Sequence, residues 1–166
     1  MDLRKGSKDI VIQQLVKYHG LLVTDPGMWV FSPIKVVDAD VPMNTRVKLT
    51  PAPFNTNYRG SRTFNYKRLD LPSIGASAKV IRFTTSVGKT VHDHFPDLLK
   101  QLGVLWDAND LEPTPLVKIG STNSYTLTLT AKATCLAWFG TTTIRVDPLP
   151  DIGLYVNIDN FTWNQL

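Results

Sequence analysis

"YRGSRTFNYKRL", residues 58–69, and "WFGTTTIRVDPL", residues 138–149, stand 80 positions apart and align without a gap. The alignment extends upstream, where "VKLT" at 47–50 lies over "LTLT" at 127–130. Leu49 falls on Leu129, Thr50 on Thr130, Tyr58 on Trp138, Gly60 on Gly140, Thr63 on Thr143, Phe64 on Ile144 and Leu69 on Leu149. An offset of 83 relates the segments in front, "SKDIVIQQLVKYHGLL" and "TVHDHFPDLLKQLGVL", pairing Ser7 with Thr90, Leu15 with Leu98, Lys17 with Lys100 and Gly20 with Gly103. Self-similarity at a fixed period signals a duplicated supersecondary unit. The chain therefore reads as two units, 1–80 and 81–166, packed as one compact body.

Each unit is expected to open with a short helix. Ser7 and Thr90 are suited to N-caps, their hydroxyls accepting from unpaired backbone N–H groups, and Gly20 and Gly103 to left-handed C-terminal positions. Ile10, Val11, Leu15 and Val16 form one apolar face, and Phe95, Leu98, Leu99 and Leu102 the other. Pro96 has no N–H and clashes with a preceding turn, so the second helix is kinked there or starts after Thr90. Strand-like runs follow: "MWVF" and "IKVV" in the first unit, "LVKI" in the second, then the paired hairpins, with "KVIRF" and "GLYVNI" closing the units. The expected fold class is α+β, each unit a short helix followed by antiparallel strands.

Composition agrees. Of 166 residues, 43% are apolar and only 19% charged, while eleven Pro and ten Gly favour short elements and frequent turns. A single cysteine excludes an internal disulfide. No apolar run approaches the roughly 18 residues of a membrane span, and "MDLRKGSK" leads into an amphipathic segment, so a protein made in the cytoplasm and not embedded in a membrane is expected. The net charge of +4 conceals a polarity: residues 1–80 hold 12 Lys and Arg against 6 Asp, whereas residues 81–166 hold 6 against 8 acids. Opposite charges on two faces of one molecule permit head-to-tail contacts between copies.

Four stretches invite a chemical reading. "FTTSVGKT", residues 83–90, has the Gly-Lys-Thr of a phosphate-binding loop, but that loop needs a glycine at position 83, where Phe83 stands. A turn leading to a Thr90 cap fits better. "HDH", residues 92–94, places two histidines at a spacing that points them apart on a helix, so Asp93 is expected to serve as a first-turn acid and no metal is expected. Cys135 lies in apolar "TCLAWFG" with no charged neighbour in sequence, as an inert buried thiol does. Asp107, Asp110 and Glu112 lie in turn-rich "WDANDLEP", where Asp and Asn bond their own backbone. A small metal-dependent enzyme is the least favoured alternative; no catalytic residue and no cofactor are assigned.

The basic ribbon "NTNYRGSRTFNYKR", residues 55–68, carries four cations and three rings. The 80-residue offset sets Phe64 and Tyr66 over Ile144 and Val146, marking both rings as core. Arg59, Arg62, Lys67 and Arg68 fall over Phe139, Thr142, Asp147 and Pro148, so the scaffold does not require these four charges. They are expected to meet an acidic partner: another protein or a second copy of the chain, with nucleic acid the alternative.

The hairpin "NTRVKLT…NYRGSRTFNYKRLDL" and the helix and turn "VHDHFPDLLKQLGVLWDANDL" resemble a module of virion structural proteins from large tailed bacteriophages. The resemblance spans most of the chain from about residue 5, through hydrophobic spacing, a Tyr-x-Gly-Ser lead into the strand and a Leu-Asp-Leu exit. It implies a non-enzymatic particle component, in a tail, neck, baseplate or capsid decoration, located in the virion and contacting other virion proteins. The second unit departs from the pattern at "WFG" and "VDPLP".

Overall fold

Alternation in "TRVKLTP" and "YTLTLT" sends apolar side chains to one face of a strand and polar ones to the other, which suits a sheet covered on one side. The computed structural model describes residues 1–22, 24–37, 43–56, 58–77 and 80–149. Helix α1 (Ser7–His19) is followed by a 3-10 turn (Pro26–Met28), β1 (Trp29–Phe31), β2 (Lys35–Val36), β3 (Thr45–Pro51), β4 (Arg62–Tyr66), β5 (Leu69–Asp70), α2 (Leu71–Ser77) and β6 (Val80–Arg82). A second 3-10 turn (Val91–His94) runs into α3 (Phe95–Leu102), and β7 (Val117–Lys118), β8 (Tyr125–Thr130), β9 (Trp138–Phe139) and β10 (Thr141–Asp147) complete the described elements. The fold is α+β, as expected. The expected strand "GLYVNI" lies outside the described residues.

In the first sheet β3 is central. It pairs antiparallel with β4 on one edge and with β1 and β2 along the other. The second sheet runs β6-β10-β8-β7, with β10 antiparallel to β8 and parallel to β6. Val47 faces Phe64 in the first hairpin and Leu127 faces Ile144 in the second, so adding 80 to both members of one pair yields the other. The flanking strands correspond as well: Lys35 faces Arg46, and Val117 faces Thr126. A two-stranded parallel pair, Leu69 to Trp138 and Asp70 to Phe139, ties the exit of the first hairpin to the start of the second.

Two apolar cores result. Val11, Ile12, Leu15, Val47, Leu49, Phe64 and Tyr66 form one; the larger gathers Leu98, Trp106, Leu127, Leu129, Trp138, Ile144 and Val146 with Ile10 and Leu71. Helix α1 thus serves both, Ile10 entering one core and its neighbour Val11 the other. Residues 69–77, which a division at position 80 assigns to the first unit, pack on the second core.

Local signals behave as the chain's chemistry requires, with one exception. Gly20 and Gly103 end their helices at φ of 64° and 68°, and Thr90 forms a capping box with Asp93. Helix α3 begins at Phe95, with Pro96 in its first turn where no N–H is needed. Ser7, however, is not a cap: Gly6 occupies that position, and the Ser7 hydroxyl turns inward to donate to the buried Asp110 carboxylate. The competing partner won because Asp110, 103 residues away, needs donors once it is out of water.

A candidate docking surface

The four cations of the basic ribbon do not form one patch. Arg59 and Arg62 are exposed at the start of β4, whereas Lys67 and Arg68 follow its end, about 17 Å away at the rise of an extended strand. Arg62 shares a strand face with Phe64 and Tyr66, and its guanidinium lies 5.3 Å from the Phe64 ring centroid. Arg59 has no charged partner among the described residues. Both line an open groove of about 250 Å³, floored by Leu21, Trp29, Leu49 and Phe64 and edged by Tyr58. Tyr58 packs against Trp29 with centroids 5.5 Å apart.

Arg68 corrects the expectation that all four charges are dispensable. Its guanidinium reaches the Cys135 and Trp138 carbonyls at 3.5 and 3.4 Å and lies 5.7 Å from the Phe139 ring centroid, joining the two halves from within. Lys67 is exposed at a separate cavity of about 650 Å³, shared with Gln14, Lys17 and Asp70 at the seam between α1 and α2. Phe64 and Tyr66 are core, and the Tyr66 hydroxyl donates to the Leu136 carbonyl at 2.7 Å. Burial holds that phenol well above its ordinary range, with nearby Arg68 opposing the shift.

The other candidates are committed internally. His92 bonds the Leu111 carbonyl at 2.8 Å; His94 joins Thr85 at 2.8 Å and Asp97 at 3.1 Å. Among the described residues no three His, Cys, Asp or Glu side chains gather as a metal site would require. Lys89 pairs with Asp93 at 3.6 Å beside the Thr90 cap, so "FTTSVGKT" ends in the turn and cap expected of it. Among the described residues no helix is long and apolar enough to cross a membrane.

Asp110 was legible only as a turn acid, since its partners are remote in sequence. It accepts from the Asp107 N–H at 3.1 Å, from Ser7 and from the Cys135 thiol at 3.3 Å. Burial pushes the Cys135 thiol up to about 12, and the Asp110 charge adds to the shift. Burial likewise raises Asp110, although its hydrogen bonds oppose the change. A carboxyl raised in the folded state favours folding below its unfolded pKa, about 3.9, and that contribution is lost as pH rises through the folded value. Asp93 and Asp147 are lowered by their hydrogen bonds, and they act in the opposite direction. Asp110→Asn leaves both in place. Urea unfolding of the two proteins across this interval is therefore expected to give a stability difference that moves toward the Asn variant as pH rises; a pH-independent difference contradicts the burial argument.

Together these features define an α+β protein with two four-stranded sheets and an apolar groove, bordered by two arginines, at one end of its first hairpin. The chain belongs to the family of unknown function DUF7941, matched over residues 2–161. No curated protein and no solved structure matches it.

Proposed function

We propose that this protein is a non-enzymatic structural component of a tailed-bacteriophage particle, acting through protein–protein contacts in a tail, neck or capsid decoration. It is made in the host cytoplasm and incorporated into the virion. The observation that carries the contact mode is the groove edged by Arg59 and Arg62: it offers apolar area with two cations at its rim, the composition of a protein-docking site more than of a catalytic pocket. The virion assignment rests on the resemblance of the hairpin and the second helix to particle proteins.

Two measurements test the two parts. Immunogold labelling of intact particles is expected to place this chain on them, and purified particles lacking it overturn the assignment. Association through the rim charges is expected to weaken as the Debye length falls from about 30 Å at 0.01 M salt to about 3 Å at 1 M. Replacing both Arg59 and Arg62 with Ala is expected to remove that salt dependence. Binding to a generic oligonucleotide that falls steeply with salt and vanishes in the same variant favours nucleic acid as the partner instead.

A further inference from the structure

Among the described residues nothing covers the groove of the first hairpin, whereas the matching position on the second hairpin is filled. Helix α2, reading "LPSIG" at residues 71–75, lies there against β10. Its Pro72 is so close to Gly140 that a β-carbon on that glycine would stand 3.2 Å from Pro72 Cδ, and a β-carbon on Gly75 would overlap the Thr142 hydroxyl. Strand β5, immediately before it, pairs with β9 and helps bury Trp138. At the 80-residue offset Trp138, Gly140, Thr142 and Ile144 correspond to Tyr58, Gly60, Arg62 and Phe64, the rim and floor of the open groove. A β-carbon on Gly60 would meet nothing within 4 Å, and Tyr58 is 38% exposed where Trp138 is wholly buried.

A second copy of the filling segment exists in the sequence. Residues 149–153 read "LPDIG", identical to "LPSIG" except that Asp151 replaces Ser73, and they begin two residues beyond the end of β10. We infer that the 149–153 segment of one molecule seats in the Tyr58–Arg62 groove of a second, as α2 seats on β10 within the chain. The chain would then join head to tail. This deepens the particle-protein reading and rests on its claim that the Arg59 and Arg62 surface meets protein.

Three observations support a second copy as the occupant. Residues 147–166 contain three Asp and no Lys or Arg, which complements a groove edged by Arg59 and Arg62. Among the described residues those lining the groove fall within 21–64, while Asp147, from which the segment departs, is anchored on the second sheet by Ser124 at 2.7 Å. Leu149 lies within about 7 Å of Asp147, the reach of two extended residues, and remains 53% exposed in its own chain. The contact is also heterologous. Repeating it leaves a free groove at one end and a free segment at the other, so it propagates unless the rotation closes a ring. Beyond the groove, the outer edge of β4 has no paired strand among the described residues, whereas the equivalent edge of β10 carries β6.

Sedimentation velocity on the full chain over a concentration series tests this with Ile152→Asp, which spoils the segment, and Arg62→Glu, which reverses a rim charge that the acidic segment would meet. Each variant alone is expected to lose association at least about tenfold, with a thermal melt like the wild type. An equal mixture is expected to form dimers, because the Ile152→Asp molecule keeps its groove and the Arg62→Glu molecule its segment. A peptide of residues 149–160 is expected to dissociate wild-type assemblies, which tests the idea even if a variant misfolds. A mixture that stays monomeric, or a wild type that is monomeric and ignores the peptide, overturns the inference. Salt-sensitive association that depends on Arg59 and Arg62 but not on Ile152 also overturns it, while leaving the basic docking surface standing.

Discussion

Replacing Trp138 with Ala is expected to cost about 3–5 kcal/mol, the range for removing a large aromatic side chain from a packed core. Trp138 is wholly buried, its ring centroid lies 5.6 Å from that of Trp106, and its backbone pairs with Leu69. Domains of this size are stable by about 5–15 kcal/mol, so the loss is a large share of the total and should appear as a much lower urea midpoint. Trp138→Phe should cost less than half as much, because among the described residues the indole N–H has no hydrogen-bond partner to leave orphaned. Tyr58→Ala, at the corresponding place on the first hairpin, should cost about 1 kcal/mol or less, since that ring is partly in water. Similar losses at both positions would contradict the contrast between a filled and an open groove.

Gly75→Ala is the second large effect, and its sign discriminates. Intrinsic helix propensity favours Ala over Gly by about 1 kcal/mol. The added β-carbon, however, would overlap the Thr142 hydroxyl and stand 3.1 Å from its methyl. Overpacking of this kind costs about 1–3 kcal/mol, so net destabilisation is expected despite the better helix former. Adding Thr142→Ala removes the overlapping hydroxyl and the methyl, leaves the residue-142 β-carbon at 3.0 Å, and should recover more than half of the loss, a coupling measurable by a double-mutant cycle. A stabilised Gly75→Ala variant would mean that α2 does not press on β10.

Features governed by neighbours in sequence were readable beforehand. The caps at Gly20, Gly103 and Thr90, the shift of α3 past Thr90 and the inward rings Phe64 and Tyr66 follow from local chemistry and strand alternation. The groove was not readable, since Leu21, Trp29, Leu49 and Tyr58 reach it from separate elements. Arg68 looked like its three basic neighbours, and only the arrival of the Cys135 and Trp138 carbonyls marks it as internal.

By itself the sequence determined the α+β class, helices α1 and α3 but not α2, and a first half richer in cations than the second. Those properties depend on periodicity, capping and composition, which act over a few residues. Only the tertiary structure decided that Ser7 serves Asp110 instead of its own helix, that the four cations are divided between two sites, and that residues 69–77 cross over to cover the second hairpin. Each of these joins groups tens of residues apart, and which buried donor or apolar face finds which partner is settled by what the whole chain removes from water.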